Sequence, residues 1–151
     1  MAKVLVVYFS NSGTTGRMAD YVAEGVRIAG HQADVRKTSE IASAQDLAGY
    51  DAYIFGCPTY HLDMPESFAS LLDAAGKAGL QGKGGGAFST RSHPSSGDGG
   101  AADRVFDIME SGLKMKMTEL GPFDVKEDVV NSPDGMKAGQ EYGKGVAKLL
   151  G

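Results

Sequence analysis

The sequence predicts a three-layer, doubly wound α/β fold built on a five-stranded parallel sheet, and three features predict it. Val4-Leu5-Val6-Val7-Tyr8-Phe9 and Ala52-Tyr53-Ile54-Phe55 are unbroken apolar runs, as strands buried on both faces require. Apolar residues then return at helical spacing between and after them. Strand and helix patterns alternate along the chain, the signature of parallel strands joined by crossover helices.

In chain order, Val4–Phe9 is the first strand. Met18, Val22, Gly25, Val26 and Ala29 form one helical face, and Gly30 closes that helix. Ala33 and Val35 alternate with Asp34 and Arg36, a short and more exposed second strand. A further short helix is expected between Ile41 and Tyr50, before the third strand at Ala52–Phe55. Pro65 suits the first turn of a helix, with Phe68, Leu71, Leu72 and Ala75 on its inner face. Gly84–Ser89 reads as a glycine-rich strand that needs neighbours on both sides. Ala102, Val105, Phe106, Met109 and Leu113 give another helical face. Lys114–Thr118, with a stretch toward Val130, supplies the last strand. Pro133 opens a final helix with Tyr142, Val146, Leu149 and Leu150 inward.

Residues 1–151 have the length of one domain. With 15 Lys+Arg against 19 Asp+Glu, the net charge of -4 leaves no basic excess for phosphate backbones, which argues against a nucleic-acid binder. Hydrophobic residues at 42% exclude disorder over most of the length. Cys57 is the single cysteine, so no internal disulfide is available and a reducing compartment is expected. The first apolar run is too short for a secretory signal, and no run approaches a membrane span. A soluble, cytoplasmic protein without membrane contact is therefore expected.

Open parallel sheets bind ligands beyond the carboxyl ends of their strands. Three loops lie there: Ser10–Gly16, Cys57–Met64 and Thr90–Gly100. Ser10-Asn11-Ser12-Gly13-Thr14-Thr15 offers four hydroxyls, an amide and the backbone N–H groups of a helix start. Such a loop binds a phosphate without any Lys or Arg. It is neither the triphosphatase loop, which needs G-x-x-x-x-G-K-[ST], nor the dinucleotide loop, which needs G-x-G-x-x-G. In the second loop Pro58 and Pro65 stiffen the ends, and Tyr60 offers a ring to stack on a planar heterocycle.

On Tyr8-Phe9-Ser10-Asn11-Ser12-Gly13-Thr14-Thr15, Gly56-Cys57-Pro58-Thr59-Tyr60 and Ala87-Phe88-Ser89-Thr90 followed by Gly97–Gly100, the sequence resembles the flavodoxin family. The resemblance spans essentially the whole chain. It implies strand order 2-1-3-4-5, bound FMN, and an electron-transfer role through transient complexes with redox partner proteins. It further implies that Ser10, Asn11, Ser12, Gly13, Thr14 and Thr15 hold the phosphate. Pro58, Thr59, Tyr60 and His61 would flank the ring, with Tyr60 stacked on it. Ser89, Thr90, Arg91, Ser92 and His93 would approach its pyrimidine end.

Departures from electron-carrier flavodoxins are visible. His61 stands where many have glycine, and a positive φ costs histidine more, so weak stabilisation of one-electron-reduced flavin is expected. The third loop has Arg91 and His93 in place of an aromatic. Asp63, Glu66 and Asp98 are mixed with Arg91, His61 and His93, so a less extreme low potential is expected. These features keep a second function open, an NAD(P)H-dependent flavin oxidoreductase that reduces quinones or similar acceptors. Ser10-Asn11-Ser12 in place of an acidic cluster argues against a phospho-receiver. His31, His61 and His93 lack metal-ligand spacing, G-x-S-x-G is absent, and Cys57 reads as a small buried hydrophobe. No catalytic side chain is proposed, and the oligomeric state stays open.

Overall fold

The computed structural model describes residues 2–9, 13–59, 66–91 and 101–150. Among the described residues the strands and α-helices follow in the order β1 (Lys3–Tyr8), α1 (Thr14–Ile28), β2 (Gln32–Lys37), β3 (Ala52–Pro58), α2 (Glu66–Ala78), β4 (Gly84–Arg91), α3 (Ala101–Asp107), β5 (Lys116–Met117), β6 (Phe123–Lys126), α4 (Glu127–Val130) and α5 (Pro133–Ala147). Short 3₁₀ turns at Thr38–Glu40 and Ala44–Leu47 fill the connection from β2 to β3. A π-helical turn, Ile108–Gly112, prolongs α3.

All described strand pairs are parallel, in the order β2-β1-β3-β4-β5, with β6 also on β4. This is the expected order, 2-1-3-4-5. The fifth position differs in one respect: it is two strands rather than one. β5 pairs with the amino half of β4, Gly84↔Lys116 and Gly85↔Met117. β6 pairs with the carboxyl half, from Phe88↔Phe123 to Arg91↔Lys126. The chain between them leaves the sheet through Gly121, whose φ of 75° suits glycine. Opposite the gap, Ala87 would lose its ladder partner. The Tyr142 hydroxyl replaces it, accepting from Ala87 N at 3.0 Å and lying 3.0 and 2.7 Å from the carbonyls of Ala87 and Gly121. Phe123 stacks on the Tyr142 ring, 5.1 Å between centroids. Burial pushes the Tyr142 hydroxyl's ionisation well above its ordinary value.

The two faces of the sheet carry separate cores. On one, Leu5, Val7, Tyr53, Phe55 and Ala87 meet Phe68, Leu71, Leu72 and Ala75 of α2 and Val105 of α3. On the other, Val4, Val6, Ile54 and Phe88 meet Met18, Val22 and Val26 of α1 and Tyr142 and Val146 of α5. Alternate residues of β1 and β3 thus enter opposite cores, which is why both strands are apolar throughout. The expected inward faces of α1, α2 and α5 are buried, with two exceptions: Ala29 is an exposed C-cap residue beyond the end of α1, and Leu149 and Leu150 lie half-buried in a 3₁₀ turn, Lys148–Leu150, beyond the end of α5.

Helices α1 and α5 lie backbone against backbone. A Cβ on Gly143 would fall 2.0 Å from the carbonyl oxygen of Val22, and one on Gly25 would fall 2.0 Å from that of Gln140. The glycines are a requirement of this close approach. Among the described residues no helix is long and apolar enough to cross a membrane.

Candidate functional site

Parallel pairing brings the carboxyl ends of β1, β3, β4 and β6 to one side of the sheet. Tyr8 is level with Gly56, Pro58 with Thr90, and Thr90 with Val125. Three connections leave from this edge, and hydrogen bonds tie them together. The Thr15 and Thr90 hydroxyls lie 2.8 Å apart, both buried, and so join the first turn of α1 to the end of β4. Thr59 N donates to Thr90 O at 2.8 Å. The Thr59 hydroxyl accepts from Ala101 N at 3.0 Å, and the Ser89 hydroxyl accepts from Ala102 N at 3.1 Å. The start of α3 is therefore held by hydroxyls from β4 and from the residue after β3.

Gly13 is the N-cap of α1, with φ 86° and ψ −12°. This left-handed conformation turns the chain sharply into the helix, and glycine adopts it without a Cβ clash. Nothing in the described structure lies within 4 Å of where a Gly13 Cβ would stand. Conformation, rather than space, therefore dictates glycine here. Behind it, Gly16 accepts the Tyr8 ring, which would stand 2.9 Å from a Cβ at that position. Strand β1 can thus deliver the chain close against α1. The result is a helix start aimed at the carboxyl edge of the sheet, where its partial positive charge favours an anion.

Beside it lies an ion pair, Arg91 Nη1 to Asp124 Oδ2 at 2.9 Å, with the two side chains 20% and 5% exposed. Asp124 Oδ1 accepts from the Ser89 hydroxyl at 2.6 Å. The Arg91 Nε is buried and has no hydrogen-bond partner among the described residues. A buried donor of this kind calls for an acceptor.

Of the residues expected at the site, Gly13, Thr14, Thr15, Pro58, Thr59, Ser89, Thr90 and Arg91 are brought to this one edge. Ser10, Asn11, Ser12, Tyr60, His61, Ser92 and His93 lie outside the described residues. Thr15, Thr59 and Ser89 have their hydroxyls on protein partners, so these side chains join the loops to one another. Asp124 was not expected. Its signal is weak, because a four-residue strand carries little periodicity, but β6 beside β4 puts it next to Ser89. Cys57 is buried, as expected. His31 Nδ1 accepts from Ala2 N at 3.1 Å, and Asp51 Oδ2 accepts from Lys3 N at 2.9 Å. Both serve the amino end of the sheet. No group of three or more metal-ligating side chains occurs among the described residues.

The geometry defines a doubly wound α/β protein whose β1, β3 and β4 carboxyl ends meet at one candidate site. Comparison places it more closely. A family model described as "Flavodoxin domain" matches residues 5–118. The NAD(P)H dehydrogenase (quinone) of Rhodopseudomonas palustris strain BisA53 is 36% identical over 144 residues, covering 80% of this chain and 71% of that protein. Among solved structures, a flavodoxin from the domain Archaea matches with a TM-score of 0.85 at 21% identity, over 99% of each chain. Oxidised Flavodoxin 1 from Bacillus cereus matches at 0.82 and 23% identity, over 97% of this chain and 98% of that one. These two likenesses are of fold. The chain belongs to the flavodoxin family, and FMN is the cofactor that goes with it. The described residues fit that group: a left-handed glycine turn into a helix start for a phosphate, and a buried Arg91 Nε, without a hydrogen-bond partner among the described residues, for a polar edge.

Proposed function

We propose that the protein is an FMN-dependent electron-transfer flavoprotein of the cytoplasm, with α1 holding the phosphate and the β3 and β4 ends holding the ring. The observation that carries this reading is the Thr15–Thr90–Thr59 linkage, which fixes the three loops against one another at the ligand edge. In this role FMN supplies the redox chemistry, and the protein binds it, orients it and sets its surroundings. Gly13 and Thr14 present main-chain and hydroxyl donors to the phosphate, with Ser10, Asn11 and Ser12 completing the cradle. Pro58, Thr59, Tyr60 and His61 form one wall of the ring site. Ser89 to His93 form the other, and Arg91 directs Nε toward a polar atom. Electrons pass to partner proteins in small, transient contacts, as rapid turnover requires.

A second reading has its own support. The relatives at about 35% identity carry the name NAD(P)H dehydrogenase (quinone). In that reading the same cradle serves an enzyme that takes two electrons from a nicotinamide and delivers them to a quinone. Stopped-flow mixing of the FMN-loaded protein with NADH or NADPH separates the two. Bleaching of the flavin absorbance that needs a partner reductase supports the carrier. Rapid bleaching by nicotinamide alone, reversed by quinone, supports the enzyme.

A further inference from the structure

We infer that Asp124 is a positioning residue of the flavin site, and that the charge balance of the Arg91–Asp124 pair sets the reduction potential of bound FMN. The inference rests on the FMN reading above. It starts from where the pair stands. Arg91 is the last residue of β4, adjacent to Thr90, whose hydroxyl touches Thr15 in the first turn of α1. A residue one Cα step of about 3.8 Å away is within the same loop cluster. Asp124 belongs to the neighbouring strand, level with Ser89, and reaches both Ser89 Oγ (2.6 Å) and Arg91 Nη1 (2.9 Å).

Three consequences follow from elementary electrostatics and geometry. Asp124 is almost wholly buried, so its attraction for Arg91 is weakly screened. Holding Nη1, it fixes the plane of the guanidinium and therefore the direction of the buried Nε, the donor without a partner among the described residues. It also cancels most of the Arg91 charge at the ligand edge. Through Ser89 Oγ, which accepts from Ala102 N at 3.1 Å, the same carboxylate is tied to the start of α3. Arg91 alone would favour flavin that has gained negative charge on reduction. Paired with Asp124, its charge is largely offset at that point.

A purely structural ion pair and a pair that tunes the cofactor differ in sign. Reduction potentials are measured by spectroelectrochemistry on the FMN-loaded wild type, D124N, R91Q, the double variant, and E141Q on the exposed face of α5. D124N removes a negative charge and is expected to raise the potential. R91Q removes a positive charge and is expected to lower it. In each case the ratio of affinities for oxidised and reduced FMN changes by roughly tenfold, as expected for one charge at short range. The double variant returns near the wild type, and E141Q leaves the potential in place. Shifts of the same sign in both single variants, or none in either, overturn the inference. If D124N fails to fold, R91Q decides alone: an unmoved or raised potential overturns the inference. A wild type that does not bind FMN refutes the FMN reading instead.

Discussion

The two helical layers are built in different ways. In the α1–α5 layer, helix backbones touch each other directly, with Gly25 and Gly143 leaving room for the facing carbonyls. In the α2–α3 layer, bulky side chains fill the space: Phe55 meets Phe68 edge-on at 6.3 Å, and Tyr53 meets Phe55 at 6.3 Å. The start of α3 relies on hydroxyls borrowed from Thr59 and Ser89. The difference teaches how the site divides its labour. In the proposed site, the phosphate end is set by the backbone seam that seats α1 against α5. The proposed ring end is set by side-chain hydrogen bonds, which substitutions can retune without separating α1 from α5.

Substitutions can break this contrast, and the largest effect belongs to the seam. G143A places a methyl where the Val22 carbonyl oxygen stands, and α1 and α5 must separate. Urea unfolding is expected to show a loss of about 3 kcal/mol or more, with weakened FMN binding because α1 shifts. A fully stable G143A would mean that the seam is not rigid. Next, T90V removes one partner of the buried Thr15–Thr90 contact and leaves a hydroxyl without it. A loss of about 1–3 kcal/mol is expected, together with lower FMN affinity by fluorescence titration. Unchanged affinity would separate the phosphate end from the ring end.

Alkaline unfolding sharpens the comparison at Tyr142. Burial raises its ionisation well above the ordinary tyrosine value of about 10, with the hydrogen bond at Ala87 opposing in part. Below pH 10 the phenol is protonated in both folded and unfolded chains. Above it, the unfolded chain releases the proton while the folded chain keeps it, so stability falls as pH rises. Tyr50 and Tyr53 are shifted upward as well, by burial first. Y142F is therefore expected to flatten part of the decline, and an identical slope would contradict the assignment. The smallest effect is expected at the exposed Arg17–Asn131 hydrogen bond, 2.8 Å. N131A should change stability by no more than about 0.5 kcal/mol in thermal melts.

Much of this architecture was legible in the residues. Val4–Phe9 and Ala52–Phe55 show their double-sided burial by lacking alternation, and α1, α2 and α5 show their inner faces by spacing. The divided fifth position was not legible. β5 is two residues long, too short for any period, and its partner Gly84–Gly85 has no side chains to advertise a neighbour. The seam was hidden for a related reason: Gly25 and Gly143 look like weak helix formers until a second helix lies on them. At the candidate site, the run of hydroxyls from Ser10 to Thr15 before a helix start was legible in the sequence. The roles of Thr59 and Ser89 as caps of α3, and of Asp124 beside Arg91, were not. Each depends on which strand ends lie side by side.

The central claim is that the start of α1 grips a phosphate while the β3 and β4 ends hold a flavin ring. Titrating the apoprotein in parallel into FMN and into riboflavin, and following flavin fluorescence, tests both halves together. FMN emission should be quenched to a one-to-one endpoint, and riboflavin, lacking the phosphate, should bind at least about tenfold more weakly. Equal affinities for the two, or no quenching of either, would contradict the account.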